Sequence, residues 1–182
     1  SFLHAPLFHP AIKNVAHVRK ELQVKSIFNL LGPLVNACQP TNMLIGVHSE
    51  AAGKLYKEVL KKTSTKFVIV HAVDGYDEIS LTGDTRIFGR KSAQLFTPIG
   101  LGFKQLKPQD LLGGNSVKEN ADILLAILKG KGTDAQNNVV LANAALAISI
   151  YEDNSYPAAL SMAKQSLFEG KALSSLNALK TI

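Results

Sequence analysis

The chain has 182 residues, 46% of them apolar, and 20 basic against 14 acidic side chains give a formal charge of +6. That is enough for one substantial core and too little for two large independent domains, so residues 1–182 read as a single domain. The mild positive excess suits anionic ligands without choosing among them. The lone cysteine, Cys38, excludes an internal disulfide and a Cys-rich zinc array, and no uncharged segment reaches the roughly 20 apolar residues of a membrane helix; no membrane partner and a reducing, cytoplasmic setting are expected.

The opening SFLHAPLF has neither Met nor a charged leader region, so it reads as the middle of a longer chain rather than as a signal peptide. Pro10 suits the first turn of a helix, and Val15, Ala16, Val18 and Leu22 supply an imperfect apolar stripe, which predicts a helix over residues 10–22. Residues 26–35, SIFNLLGPLV, predict a short buried helix that Gly32-Pro33 ends in a turn. The run MLIGV (43–47) predicts a strand. Ser49 is a candidate N-cap for a helix carrying Ala52, Leu55, Tyr56, Val59 and Leu60, and FVIVHAV (67–73) predicts a second strand. Both runs are apolar throughout, as in parallel strands covered on two faces and joined by a right-handed crossover.

TRIFGR and AQLFTPI flank Lys91-Ser92 and predict an antiparallel hairpin, with Pro98 favouring a sheet edge. The remainder is helical. Ser116 and Glu119 have capping-box spacing before ADILLAILK, with Gly130 and Gly132 closing that helix; residues 134–151 form a second helix, which belongs in a core; Pro157 opens a third that stops at Gly170; and a short last helix follows. The fold expected is α/β, a partial and mostly parallel sheet flanked by helices, with too few strands for a complete sheet.

The chemistry concentrates in DGYDEIS, Asp74 to Ser80, at the carboxyl end of the second strand, where ligands of open α/β sheets gather. Gly75 permits a sharp turn, so Asp77 and Glu78 can converge, and converging carboxylates call for a cation, a proton or an arginine; Mg²⁺ bridged to substrate phosphates is the usual partner. By spacing alone the same residues also fit a solvated acidic turn. His9 and Arg19 stand ten residues apart, about 15 Å along a continuous helix, so they cannot grip one small group together but can line successive stations of a channel. Taken singly they read as a capping histidine and a surface charge. Asn29 to Pro33 places a Gly-Pro inside an apolar run, which brings backbone close to a ligand or to a neighbouring helix. The other histidines show no metal-ligand spacing, no Walker loop is present, and Gly113-Gly114 reads as a turn rather than an anion cradle.

Taken together, FLHAPLFHPAIKNVAHVRKEL, SIFNLLGPLVN and DGYDEISLTGDT, in that order, closely resemble the carboxyl-terminal part of the anthranilate phosphoribosyltransferases, and the likeness runs on through GGNSVKENADILLAIL and VVLANAALAI. The resemblance implies a nucleoside-phosphorylase/phosphoribosyltransferase-like carboxyl-terminal domain and the transfer of phosphoribose from phosphoribosyl pyrophosphate to anthranilate in tryptophan biosynthesis. Family members start with a helical domain, a GTGGD-type phosphate loop and a K-H-G-N segment. None of these occurs here, which implies a piece of a longer, homodimeric protein, inactive alone. Carried over by motif, Asp77 and Glu78 bind Mg²⁺, while His9, Arg19 and Pro33 line the anthranilate channel, with Arg19 taking the substrate carboxylate. His4, His17, Gln23, Ser26 and Ala37 depart from the family pattern without removing a ligand. The competing function is a nucleic-acid-binding homologue without transferase activity. The retained acidic pair, His9 and Arg19 argue against it, as does the dispersal of the basic residues, so nucleic acid is not expected as a partner. A nucleoside phosphorylase of the same broad fold matches the NLLGPL and HPA blocks less well.

Overall fold

A computed structural model describes residues 28–36 and 38–181; the helix expected over residues 10–22 lies outside them. The chain divides into two compact units, Ser1–Thr41 and Asn42–Ile182.

In the first unit, α1 (Phe28–Leu31) is a single turn that passes directly into a 3₁₀ turn, Gly32–Val35. Gly-Pro was expected to stop the helix; instead the winding tightens, because Pro33 occupies the first turn, where a missing N–H costs nothing. Leu30 and Leu31 are half-buried rather than buried. A Cβ at Gly32 would meet nothing within 4 Å among the described residues.

The second unit runs β1 (Asn42–Gly46), α2 (Glu50–Leu60), β2 (Lys66–Ala72), β3 (Thr85–Phe88), β4 (Ala93–Phe96), α3 (Val117–Leu128), α4 (Asp134–Glu152), α5 (Tyr156–Phe168) and α6 (Lys171–Lys180). The sheet order is β1-β2-β3-β4. β1 and β2 pair in parallel, from Asn42 opposite Lys66 to Gly46 opposite Val70, across the crossover helix α2. Ser49 caps α2 as expected, accepting from the Ala52 N–H at 3.2 Å.

The α/β class is the one observed. The sheet expected to be mostly parallel is, over the described strands, mixed: β2–β3 and β3–β4 are antiparallel. The segment from Val73 to Asp84 holds no helix, and without a crossover element the chain returns beside β2 in the opposite direction. Among the described strands β4 is one of the two at the edges, with β1 at the other, and Pro98 lies beyond β4, opening a 3₁₀ turn at Ile99–Leu101.

β2 is covered on both faces. Val70, with Ile79 and Leu81, joins Leu141, Ala142 and Ala145 of α4 and Ala159 and Ala163 of α5 in the main core. On the other face α2 packs so closely that a Cβ on Gly53 would lie 2.5 Å from the Phe88 ring. The helix read as core rather than membrane is α4, and among the described residues no helix is long and apolar enough to cross a membrane. At α3 the Ser116 hydroxyl accepts from the Glu119 N–H at 3.1 Å, but the Glu119 carboxylate accepts from Asn115 rather than from the cap. Gly113-Gly114 is a turn closed by Asn120, whose side-chain oxygen accepts from the Gly114 N–H at 3.0 Å.

Candidate functional site

The acidic loop leaves β2 at Ala72 and is pinned before and after its exposed tip. At its base the Val73 N–H donates to Asp84 O at 2.8 Å, and Gly75, at φ +105°, makes the turn that lets the Ala72 N–H donate to Tyr76 O at 2.9 Å. Few side chains tolerate that backbone conformation, which accounts for glycine here. Asp74 cinches the neck: its carboxylate accepts from the Ser80 hydroxyl at 3.2 Å and from the Thr82 hydroxyl. The carboxylate nearest the strand is therefore spent on holding the loop.

Past the tip the chain dives into the core. Ile79 and Leu81 are fully buried, and Leu81 sits at φ +59°, a left-handed conformation costing about 1–2 kcal/mol in a non-glycine residue. Burial of its side chain, the Leu106 N–H bond to Leu81 O at 2.9 Å and the Gln105 amide bond to Thr82 O at 2.8 Å hold that geometry. Asn143, from the middle of α4, accepts from the Ile79 N–H at 2.9 Å and donates to Ile79 O at 2.8 Å. Left unpaired, each of those buried backbone groups would cost about 1–3 kcal/mol.

Between these anchors Asp77 and Glu78 are exposed, and among the described residues neither makes a hydrogen bond or an ion pair. The Asp77 backbone rests on the end of β1, where only glycine fits: a Cβ on Gly46 would fall 1.7 Å from Asp77 O. Glu78 lies at the lip of a cleft of about 230 Å³, walled by Tyr76, Leu112, Ile123, Gln136 and Val140. Burial against that wall, and then the neighbouring Asp77 charge, push the Glu78 carboxyl above its ordinary range. A cation placed beside the two acids would offset both causes by favouring the charged carboxylates.

Among the described residues no group of three or more His, Cys, Asp or Glu side chains is gathered to hold a metal ion. Two unpaired carboxylates do not make a protein-only cage, but they match what Mg²⁺ uses when substrate phosphates and water complete its shell. The residues present fit that ion on this ground. Of the other sequence-predicted site residues, Pro33 lies in the first unit, half-buried in its 3₁₀ turn, and His9 and Arg19 lie outside the described residues.

Sequence reasoning missed the supports: Asp74 as a clasp, Ser80 and Thr82 as its partners, Gly46 as the seat, and Asn143 as the brace. One signal for the last was visible, since an asparagine in the midst of LANAALAI is costly in a helix interior unless its amide is used.

The family model described as "Glycosyl transferase family, a/b domain" matches residues 1–173. The anthranilate phosphoribosyltransferase of Flavobacterium psychrophilum is 46% identical over 180 residues, which are 99% of this chain and 54% of that protein. That of Christiangramia forsetii is 47% identical over 180 residues, with the same coverage. Among solved structures, the anthranilate phosphoribosyltransferase of Thermus thermophilus superposes with a TM-score of 0.88 at 33% identity, covering 98% of this chain and 54% of that one. The Saccharomyces cerevisiae enzyme, in complex with PRPP and Mg, gives 0.89 at 26% identity, covering 97% and 51%. The chain thus spans about half the length of the relatives it matches.

Proposed function

The chain belongs to the glycosyl transferase family, a/b domain, and from that premise we propose that it forms the carboxyl-terminal half of an enzyme that transfers the phosphoribosyl group of phosphoribosyl pyrophosphate to anthranilate and releases pyrophosphate. One observation carries this reading. Asp77 and Glu78, adjacent and unpaired among the described residues, stand on a loop braced on both sides at the carboxyl end of β2. The names of the relatives, and the PRPP and Mg held by the yeast structure, support the substrates and the ion.

In the proposed reaction the anthranilate amine nitrogen forms a bond to the anomeric carbon of the sugar. The bond from that carbon to a pyrophosphate oxygen breaks, and the amine gives up a proton to water. Asp77 and Glu78 hold Mg²⁺, which when bound supplies positive charge to the departing pyrophosphate. The protein's own task is placement. The Asp74 clasp and the buried Ile79 and Leu81 would hold the two carboxylates in place as charge develops on the substrates, so little reorganisation is needed during the reaction. By the family motif, Arg19 would be the partner of the anthranilate carboxylate, with His9 and Pro33 as further residues of the anthranilate channel. Orientation of this kind contributes about 7 kcal/mol or more in ideal cases. A glycine-rich phosphate loop and a basic segment are not among these 182 residues, so turnover belongs to the longer chain.

The test uses the full-length protein, with the loss of anthranilate fluorescence followed on adding phosphoribosyl pyrophosphate and Mg²⁺. Asp77→Asn and Glu78→Gln should each lower the rate by about 100-fold or more and raise the Mg²⁺ requirement. Wild-type rates with wild-type Mg²⁺ dependence in both variants would refute the proposal.

A further inference from the structure

Asn143 lies sixty-four residues from the acidic loop in sequence and touches it directly. All the polar capacity it shows is engaged: the side-chain oxygen accepts from the Ile79 N–H at 2.9 Å, and the amide nitrogen donates to Ile79 O at 2.8 Å and to Val139 O at 3.0 Å. This pattern settles which way the amide points, because the flipped group would set its NH₂ against an N–H and its oxygen against two carbonyls. The bond to Val139 ties the side chain to its own helix one turn back. The other two grip one loop residue by both of its backbone polar groups, as a neighbouring strand would.

The gripped residue is the one after Glu78. Val139 and Val140, which wall the cleft beside Glu78, stand four and three positions before Asn143 and therefore share its face of α4. One helix face thus supplies both the wall against which Glu78 rests and the amide that fixes the backbone leading out of it. Other polar side chains hold the loop at its neck, through Asp74, and beyond Leu81, through Gln105. Among the described residues, only Asn143 reaches the position next to the acidic pair.

We infer that Asn143 is a positioning residue: by pairing with both backbone groups of Ile79 it fixes how the loop presents Asp77 and Glu78, and so sets the concentration of Mg²⁺ the enzyme needs. This rests on the reading that the two acids hold the ion. Groups that orient metal ligands typically change metal affinity by 10–100-fold when removed, and the expectation for Asn143 falls in that range.

The experiment compares wild type, Asn143→Ala, Asn143→Asp, Glu78→Gln and the double variant Asn143→Ala/Glu78→Gln, all in the full-length protein. Hydrogen exchange at the Ile79 amide should speed up in Asn143→Ala without metal or substrate present. At saturating substrates the Mg²⁺ midpoint should rise about 10-fold or more in Asn143→Ala, while the KM for anthranilate moves by less than about 2-fold. Asn143→Asp keeps the acceptor and loses both donors, so its midpoint should also rise. In the double variant the two shifts should combine to less than their product, because Asn143 acts in part through that carboxylate and otherwise through Asp77.

A folded Asn143→Ala with an unchanged Mg²⁺ midpoint, set against a shifted Glu78→Gln, overturns the inference and leaves the acidic pair standing. Shifts that multiply in the double variant overturn it as well. A Glu78→Gln variant with a normal midpoint overturns the acidic pair as metal holder, and the inference falls with it. Loss of cooperative unfolding in both Asn143 variants assigns the residue a purely structural part and equally overturns it.

Discussion

Gly46→Ala offers the sharpest test of how the acidic loop is seated. The added Cβ would stand 1.7 Å from Asp77 O and 2.8 Å from Asp77 C, whereas real contacts of this kind stay beyond 3.0 Å. Opening the gap from 1.7 to 3.0 Å moves one partner by at least 1.3 Å. β1 is hydrogen-bonded to β2 along its whole length, from Asn42 to Gly46, so the exposed Asp77 backbone is the partner that yields. Misplacement by about 1 Å at a reacting site costs about 100-fold in rate, and overpacking costs about 1–3 kcal/mol of stability. For a domain of this size each kcal/mol lowers Tm by about 2–4 °C. The full-length variant should therefore show an Mg²⁺-dependent transfer rate about 100-fold below wild type and a Tm lower by about 2–12 °C. Mg²⁺ activation and Tm both equal to wild type would refute the seating of Asp77 on β1 and, with it, the argument that a rigid loop matters.

Glu78→Gln should uncouple stability from activity. The folded-state pKa of Glu78 is raised above its ordinary 4.5, so the folded state favours the protonated form; that contribution is fully present below about pH 4.5 and is lost as pH rises through the raised value. Urea unfolding at pH 7 without metal should then find Glu78→Gln at least as stable as wild type, with the two converging below pH 4.5, and a less stable variant at pH 7 would contradict this. Arg90 donates to Lys61 O at 2.8 Å, Thr63 O at 2.9 Å and Thr65 O at 2.8 Å, and its guanidinium lies 5.3 Å from the centre of the Phe67 ring. Arg90→Ala should lower the unfolding free energy by about 2 kcal/mol, read as a lower urea midpoint at unchanged m-value, and Arg90→Lys should recover little of it, because an ammonium cannot fork across three carbonyls. A lysine variant as stable as wild type would sink that account.

Much of this architecture is written in short-range pattern. A serine before an apolar stripe marks the start of α2; glycines mark the ends of α3 and α5; the unbroken apolar run of β2 announces a strand with both faces covered, whereas β1, equally apolar and expected to be covered on two faces, leaves Leu44 exposed. Each of these signals acts within about one helical turn or one strand, a range over which sequence neighbours are spatial neighbours. The acidic pair is visible for the same reason, since Asp77 and Glu78 are adjacent and follow a strand. The Gly32-Pro33 turn shows where such signals stop short. The residues mark a change of winding, but whether the chain breaks or tightens depends on the conformation around Pro33.

What required the tertiary structure is every relation between segments far apart in the chain. No local pattern says that β3 docks antiparallel on the free edge of β2, that Gly46 leaves room for the Asp77 carbonyl, or that an asparagine on α4 pairs with Ile79. Those contacts exist because packing α4 against the sheet brings particular backbone groups out of water, where each must find a partner, and which partner lies in reach is set by the assembled core. The sequence by itself therefore determined which side chains could carry charge to a ligand, while only the folded chain decided what holds them still.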